Sequence, residues 1–200
     1  MSPRPAKDPR FSAKNRKLRD VRGLGRSADL SLNVVTMRAS PLMLALYQPD
    51  MAPNAGAMFR TCACLGADAS IIEPCGFVFS DRRFRRSGMD YLDALRIDRH
   101  SSFAAFETWR REENRRFVLL TTKADEDLWD FSFRRGDILM VGRESAGVPE
   151  EVAAAADARV RIAIRPPLRS LNVAVAAAIA MAEAQRQLRS IIATTHASGA

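Results

Sequence analysis

The amino-acid sequence predicts an α/β protein with a parallel sheet, on two observations. Short apolar runs alternate with stretches of helical periodicity along most of the chain, the arrangement that packs helices on both faces of parallel strands. A chain of 200 residues, 47% hydrophobic and 27% charged, also has the size and balance of one ordinary globular domain.

The elements follow in order. Pro41 to Tyr47 reads as a buried strand, Ala55 to Leu65 as a helix and Ala69 to Glu73 as a second strand. An arginine-rich stretch, Ser80 to Asp90, precedes a weak strand at Leu95 to Ile97. Helix Phe103 to Glu113 leads to strands at Phe117 to Thr121 and Asp137 to Val141. A short helix over Pro149 to Ala155, a last strand over Arg159 to Ile164 and a long helix over Leu171 to Ile192 close the chain. No internal repeat is visible. The domain is expected over residues 41–195, after a basic extension of residues 1–40.

Composition narrows the function. The net charge is +8, and residues 1–38 hold ten Lys/Arg against three Asp, which accounts for +7 of it. Such a segment is expected to be disordered; it is either a solvated tail or a collector of phosphate backbone without sequence preference. Cys62, Cys64 and Cys75 lack a zinc spacing and read as reduced, mostly buried thiols. With only His100 and His196, a histidine metal site or a Ser-His-Asp hydrolase has little to stand on, and no metal is expected. The longest apolar run, Val173 to Ala182, is too short to span a bilayer, and no secretory h-region follows the basic N-terminus. A cytoplasmic location is expected by default.

Parallel sheets place ligands beyond the carboxyl ends of their strands, so the loops there are where chemistry belongs. Three stand out: Gln48 to Gly56, Gly142 to Gly147, and Arg165 to Asn172. None carries the G-x-G-x-x-G or Gly-Lys-Ser/Thr signature of dinucleotide or P-loop sites.

In this order the loops resemble the three motifs of the SPOUT methyltransferases. Motif one is Pro53-Asn54-x-Gly56-x-x-x-Arg60, motif two Leu139-x-x-Gly142-x-Glu144-x-x-Gly147, and motif three runs from Ile162 to Ser170-Leu171-Asn172. Linking text agrees: Ile71-Ile72-Glu73-Pro74-x-Gly76-Phe77, Arg85-Arg86-x-Gly88-x-Asp90-Tyr91, Arg99-His100 and Leu120-Thr121-Thr122-Lys123. The resemblance spans about residues 42 to 190 and is strongest to the members that methylate the wobble ribose, cytidine or uridine 34, of tRNA. Ala163 and Ala174 stand where the family usually has Pro and Ser.

That resemblance implies a parallel-sheet SPOUT fold with a C-terminal deep trefoil knot, a homodimer, and S-adenosyl-L-methionine as cofactor. It implies 2'-O-methylation within the tRNA anticodon stem-loop, with ribosomal RNA methylation or non-catalytic RNA binding as alternatives. The cofactor is expected against Leu120, Thr121, Gly142, Gly147, Ile162, Ser170 and Leu171. Catalysis is expected from Arg60, Asn54, Glu144 and Asn172. Arg60 follows the Asn-x-Gly turn by one helical turn, which aims it back at the ribose; it acts either as a base or, given an arginine pKa above about 12, by orienting a phosphate or polarising the hydroxyl. Glu144 orients the nucleotide, pairs with Arg60 or braces its loop. Asn54 and Asn172 are candidate helix caps as well as site residues. Arg82, Arg83, Arg85 and Arg86, with Lys123 and His100, are expected to meet RNA phosphates.

Overall fold

The computed structural model of the chain describes residues 40–79 and 95–197, the last eight of them by backbone alone. The extension up to residue 39 and the cluster Arg82, Arg83, Arg85 and Arg86 lie outside the described residues.

Among the described residues seven strands form one sheet, β1 (Leu42–Tyr47), β2 (Asp68–Ile72), β3 (Ile97–His100), β4 (Phe117–Leu120), β5 (Glu126–Asp127), β6 (Asp137–Val141) and β7 (Ala158–Arg161). Their order is β3-β2-β1-β6-β4-β7-β5, and every pairing is parallel. Four helices connect or close them: α1 (Ala52–Leu65), α2 (Phe103–Glu112), α3 (Glu150–Ala154) and α4 (Val173–Ala197).

The uninterrupted apolar run of β1 has a direct cause. Successive strand side chains point to opposite faces. Leu42, Leu44 and Leu46 pack with Met58, Phe59 and Cys62 of α1 and Ala177, Ala180, Met181 and Leu188 of α4. Met43, Ala45 and Tyr47 pack on the other face with Phe106 of α2 and Val152 and Ala153 of α3. Both faces are covered, so all six residues of β1 are buried. Burial of each large side chain, such as Phe59 or Phe106, stabilises the fold by roughly 1.5–3 kcal/mol.

Several expected boundaries move. α1 begins at Ala52, with Pro53 inside its first turn, where a missing N–H costs nothing. β3 lies at 97–100, two residues later than expected, and the two-residue β5 was not anticipated. β7 ends at Arg161, and Ile162 and Ile164 beyond it line a cleft.

Polar ties hold the connections. Asp137, 1% exposed, accepts from Arg116 Nε (2.9 Å) and Nη2 (2.7 Å) and from the Arg134 N–H (2.8 Å), joining β6 to the residue that leads into β4 and to the turn before β6. Gln187 of α4 accepts from the Phe133 N–H (2.9 Å) and donates to the Phe131 carbonyl (2.9 Å). Gln185 donates to the Leu65 carbonyl at the end of α1, so α4 is tied to both α1 and the segment before β6.

Candidate active site

Because every strand runs the same way, the loops after β1, β4, β6 and β7 emerge at one edge of the sheet. They enclose a cleft of about 380 Å³. Leu120, Thr121, Gly142, Gly147, Ile162, Ser170 and Leu171 all line it, as do Asn54, Glu144 and Asn172. Met51, Thr122, Val141, Arg143, Ile164, Val173 and Ala176 complete its wall.

Two glycines shape the loop after β6. A Cβ on Gly142 would lie 2.6 Å from the Gly147 carbonyl carbon, so the two ends of the turn touch backbone to backbone. Gly147 has φ +67°, a left-handed conformation that disfavours other residues. The turn is closed by a reciprocal pair of bonds, Arg143 N–H to the Gly147 carbonyl and Gly147 N–H to the Arg143 carbonyl, both 2.9 Å.

A chain of hydrogen bonds crosses the three loops. The Glu144 carboxylate accepts from Asn54 Nδ2 (3.0 Å) and from the Asp50 N–H (2.8 Å). Asn54 Oδ1 accepts from Asn172 Nδ2 (3.2 Å). Asn172 Oδ1 in turn accepts from the N–H groups of Ala174 (2.9 Å) and Val175 (3.3 Å), capping α4. Asn54, the third residue of α1, caps nothing: its amide donates to Glu144 and to Met51 Sδ (3.7 Å), and its oxygen accepts from Asn172. Glu144 braces the β1 loop instead of meeting a guanidinium.

Arg60 stands exposed on α1, outside the residues that line the cleft. Lys123 is exposed just past the cleft residues Thr121 and Thr122. His100 does not fit the expectation of phosphate contact. It is buried at the end of β3 between Phe106 and Trp109, with ring centroids 5.4 and 5.0 Å away, and burial lowers its pKa. The family-like Arg-His spacing put it beside an exposed arginine, but the aromatic face of α2 claims the ring.

Sequence reasoning missed Asp50, Arg143 and Ser145. Asp50 Oδ1 accepts from Arg143 Nε (3.2 Å) and Nη2 (3.1 Å), and its Oδ2 from Ser145 N (3.1 Å) and Oγ (2.5 Å). The Ser145 hydroxyl and N–H, helped by the Arg143 guanidinium, hold the Asp50 carboxyl below its ordinary pKa. Tyr47, at the end of β1, has its pKa raised by burial and by the Glu151 carboxylate. Among the described residues no group of His, Cys, Asp or Glu is arranged to hold a metal ion.

The site is thus a cleft at the carboxyl ends of parallel strands, walled in part by a glycine-bounded turn and crossed by an Asn-Glu-Asn chain of hydrogen bonds. The SpoU rRNA Methylase family profile matches residues 41–182, and the chain belongs to that family. Its relatives are more particular. The tRNA (cytidine(34)-2'-O)-methyltransferase of Beijerinckia indica subsp. indica is 64% identical over 146 residues, covering 73% of this chain and 91% of that protein. A solved structure described as "Structural insights into the 2-OH methylation of C/U34 on tRNA" superposes with a TM-score of 0.70 at 40% identity, over 76% of this chain and 98% of that one. The methyltransferase AviRb from Streptomyces viridochromogenes, solved with AdoMet, has a TM-score of 0.70 at 26% identity, over 80% of this chain and 65% of that one.

Proposed function

We propose that the chain is a tRNA (cytidine/uridine-34) 2'-O-methyltransferase using S-adenosyl-L-methionine. The observation that carries this reading is the convergence of Asn54, Glu144 and Asn172 on one cleft whose walls suit an adenosine-sized ligand, in a chain 64% identical to a named enzyme of that activity.

The residues present fit the cofactor. Leu120, Ile162 and Leu171 offer apolar surface, and the absence of side chains at Gly142 and Gly147 lets a ligand approach the backbone of the turn closely. When bound, the cofactor would supply an activated methyl group: the 2'-oxygen would bond to the methyl carbon as the carbon–sulfur bond breaks, and the hydroxyl proton would pass to an acceptor in the cleft or to water. That step disperses charge, so catalysis calls on proximity, a dry pocket and a proton acceptor rather than an oxyanion hole. Glu144, with each oxygen holding one protein donor, retains acceptor capacity for a ribose hydroxyl. Asn54 and Asn172 hold it in place, and Arg60, on α1 outside the cleft wall, meets the RNA rather than the cofactor.

The same reading carries the finer features. Residues 41–195 form the methyltransferase domain, with residues 1–40 a basic extension that collects RNA phosphates together with Arg82, Arg83, Arg85, Arg86 and Lys123. The C-terminal segment forms a trefoil knot, in keeping with the SpoU methyltransferases whose solved structures the chain resembles. The protein works as a homodimer, since Ala174, Val175, Ala178, Ile179 and Ala182 of α4, with Ala57 of α1, line an apolar groove in which Val175 is 50% exposed. No helix of the described residues is long and apolar enough to cross a membrane, and a tRNA substrate goes with a cytoplasmic location.

Incubation of the purified protein with labelled cofactor and total RNA, followed by nucleoside mapping, tests this. Label is expected on the ribose of nucleotide 34 of tRNA. Label confined to ribosomal RNA would overturn the substrate, and absence of cofactor binding in calorimetry would overturn the enzymatic reading. Arg60→Ala is expected to abolish turnover with little change in cofactor affinity.

A further inference from the structure

Asp50 lies outside the cleft wall, yet it grips the loop that carries Glu144 from two sides. Its carboxylate accepts four bonds from the residues flanking Glu144, two from the Arg143 guanidinium and two from Ser145. Its own N–H donates to Glu144 Oε2 at 2.8 Å. We propose that Asp50 is a positioning residue for methyl transfer, setting through Arg143 and Ser145 where Glu144 meets Asn54. This rests on the methyltransferase reading of the cleft.

The hydrogen bonds beyond Glu144 have one polarity. The N–H groups at the start of α4 donate to Asn172, Asn172 donates to Asn54, Asn54 donates to Glu144, and the chain ends on that carboxylate. Neither amide can flip without setting like atoms against each other. Glu144 is therefore the fixed end of the relay, and whatever fixes Glu144 fixes all three side chains.

The backbone already closes the 143–147 turn through its reciprocal pair of bonds, so the turn does not need Asp50 in order to form. The carboxylate adds registration of that turn against the β1–α1 loop. The loop is itself backed, because the Gly76 N–H donates to the Pro49 carbonyl (2.9 Å) and a Cβ at Gly76 would lie 2.7 Å from the Asp50 carbonyl oxygen. Asp50 thus sits on a stop, and Arg143 and Ser145 are drawn to it. Reacting groups held within tenths of an ångström account for a large part of catalysis by orientation, so loosening this registration should cost rate rather than cofactor binding.

The test compares the full chain with Asp50→Asn, Asp50→Glu, Glu144→Gln and the double variant Asp50→Asn/Glu144→Gln. In Asp50→Asn an amide NH2 must face either Arg143 or Ser145, while size is kept. Expected results are a fall in kcat of at least about tenfold, S-adenosyl-L-methionine affinity by calorimetry within about threefold of wild type, and faster amide exchange at residues 143–147 with the sheet unchanged. Asp50→Glu should recover much of the rate, and the double variant should lose little beyond Glu144→Gln alone. The proposal is overturned by wild-type kcat in Asp50→Asn, by cofactor affinity falling in parallel with kcat, or by unchanged exchange at 143–147. Should wild type transfer no methyl to tRNA, the functional reading fails, and the exchange measurement still decides whether Asp50 holds the turn.

Discussion

Asn172 Nδ2 donates to Asn54 Oδ1 at 3.2 Å across 118 positions of sequence. This one bond joins the first turn of α1 to the start of α4, while the other end of the Asn172 amide caps the helix. The two duties can be separated. Asn172→Asp keeps an N-cap acceptor but opposes an oxygen to Asn54 Oδ1; stability in chemical denaturation should stay within about 0.5 kcal/mol of wild type. Asn172→Ala should lose about 1 kcal/mol. Methylation should fail in both, and an active Asn172→Asp would show that the link to Asn54 is dispensable.

Gly142→Ala tests the tightest approach in the cleft. Its Cβ would meet backbone atoms of Gly147 at 2.6 to 2.9 Å, and backbone cannot swing aside as a flexible side chain can. Overpacking of this kind costs about 1–3 kcal/mol, and the loop that yields is the cleft wall itself. Cofactor affinity by calorimetry is expected to fall more than tenfold, with a lower melting temperature.

Asp137→Ala should be among the most destabilising single changes. The carboxylate is 1% exposed and serves Arg116 twice and the Arg134 N–H once. Removing one partner of such a pair costs about 3 kcal/mol at the low end of the range, fitting here because the Arg116 side chain is partly exposed. Denaturant unfolding measures it; a loss under 1 kcal/mol would mean that water replaces the carboxylate without penalty.

Glu183 on α4 gives the fold an acid limb. The Arg186 guanidinium and the Gln187 amide lower its pKa from 4.5 to about 2. A carboxyl depressed on folding contributes stability that is complete above its ordinary pKa and is lost as pH falls through 4.5 toward 2. Glu183→Gln should therefore narrow the stability gap to wild type as pH is lowered through that window. A constant gap from pH 6 to pH 2.5 would contradict the assignment.

The three thiols should react in a set order. Cys62 is buried under β1, which pushes its pKa up to about 12, and burial with the Glu73 carboxylate nearby raises Cys75 to about 11; Cys64 is exposed on the opposite side of α1. Since the thiolate is the reactive form, alkylation at pH 8 followed by peptide mapping should mark Cys64 first and Cys62 last.

Much of this was legible in the sequence where one residue's environment suffices to define it. β1 announces itself because both its faces are covered, whereas the cleft residues from Leu120 to Leu171 are legible through the resemblance to the three SPOUT motifs, whose loops the parallel sheet brings to one edge. What escaped depends on pairing across the fold. Asp50, Arg143 and Ser145 are ordinary loop residues until a register of more than ninety positions brings them together. The one hint was that two polar residues flank Glu144. Asn54 looked like a helix cap because its side chain suits one, but Pro53 is compatible with an earlier start and frees the amide for Glu144. β5, two residues long, has too little pattern to declare itself.

The place of β1 in the sheet also governs how the chain is born. Among the described strands it leaves the ribosome first, yet one of its two edges waits for β6, whose first partner residue, Asp137, comes 95 positions after Leu42. Through that interval Leu42–Tyr47 offers an apolar strand with an unpaired flank, the kind of template that seeds association between nascent chains. Contacts of such long range also slow folding, so recovery from denaturant should depend steeply on protein concentration, with aggregation winning when many half-built sheets are present together.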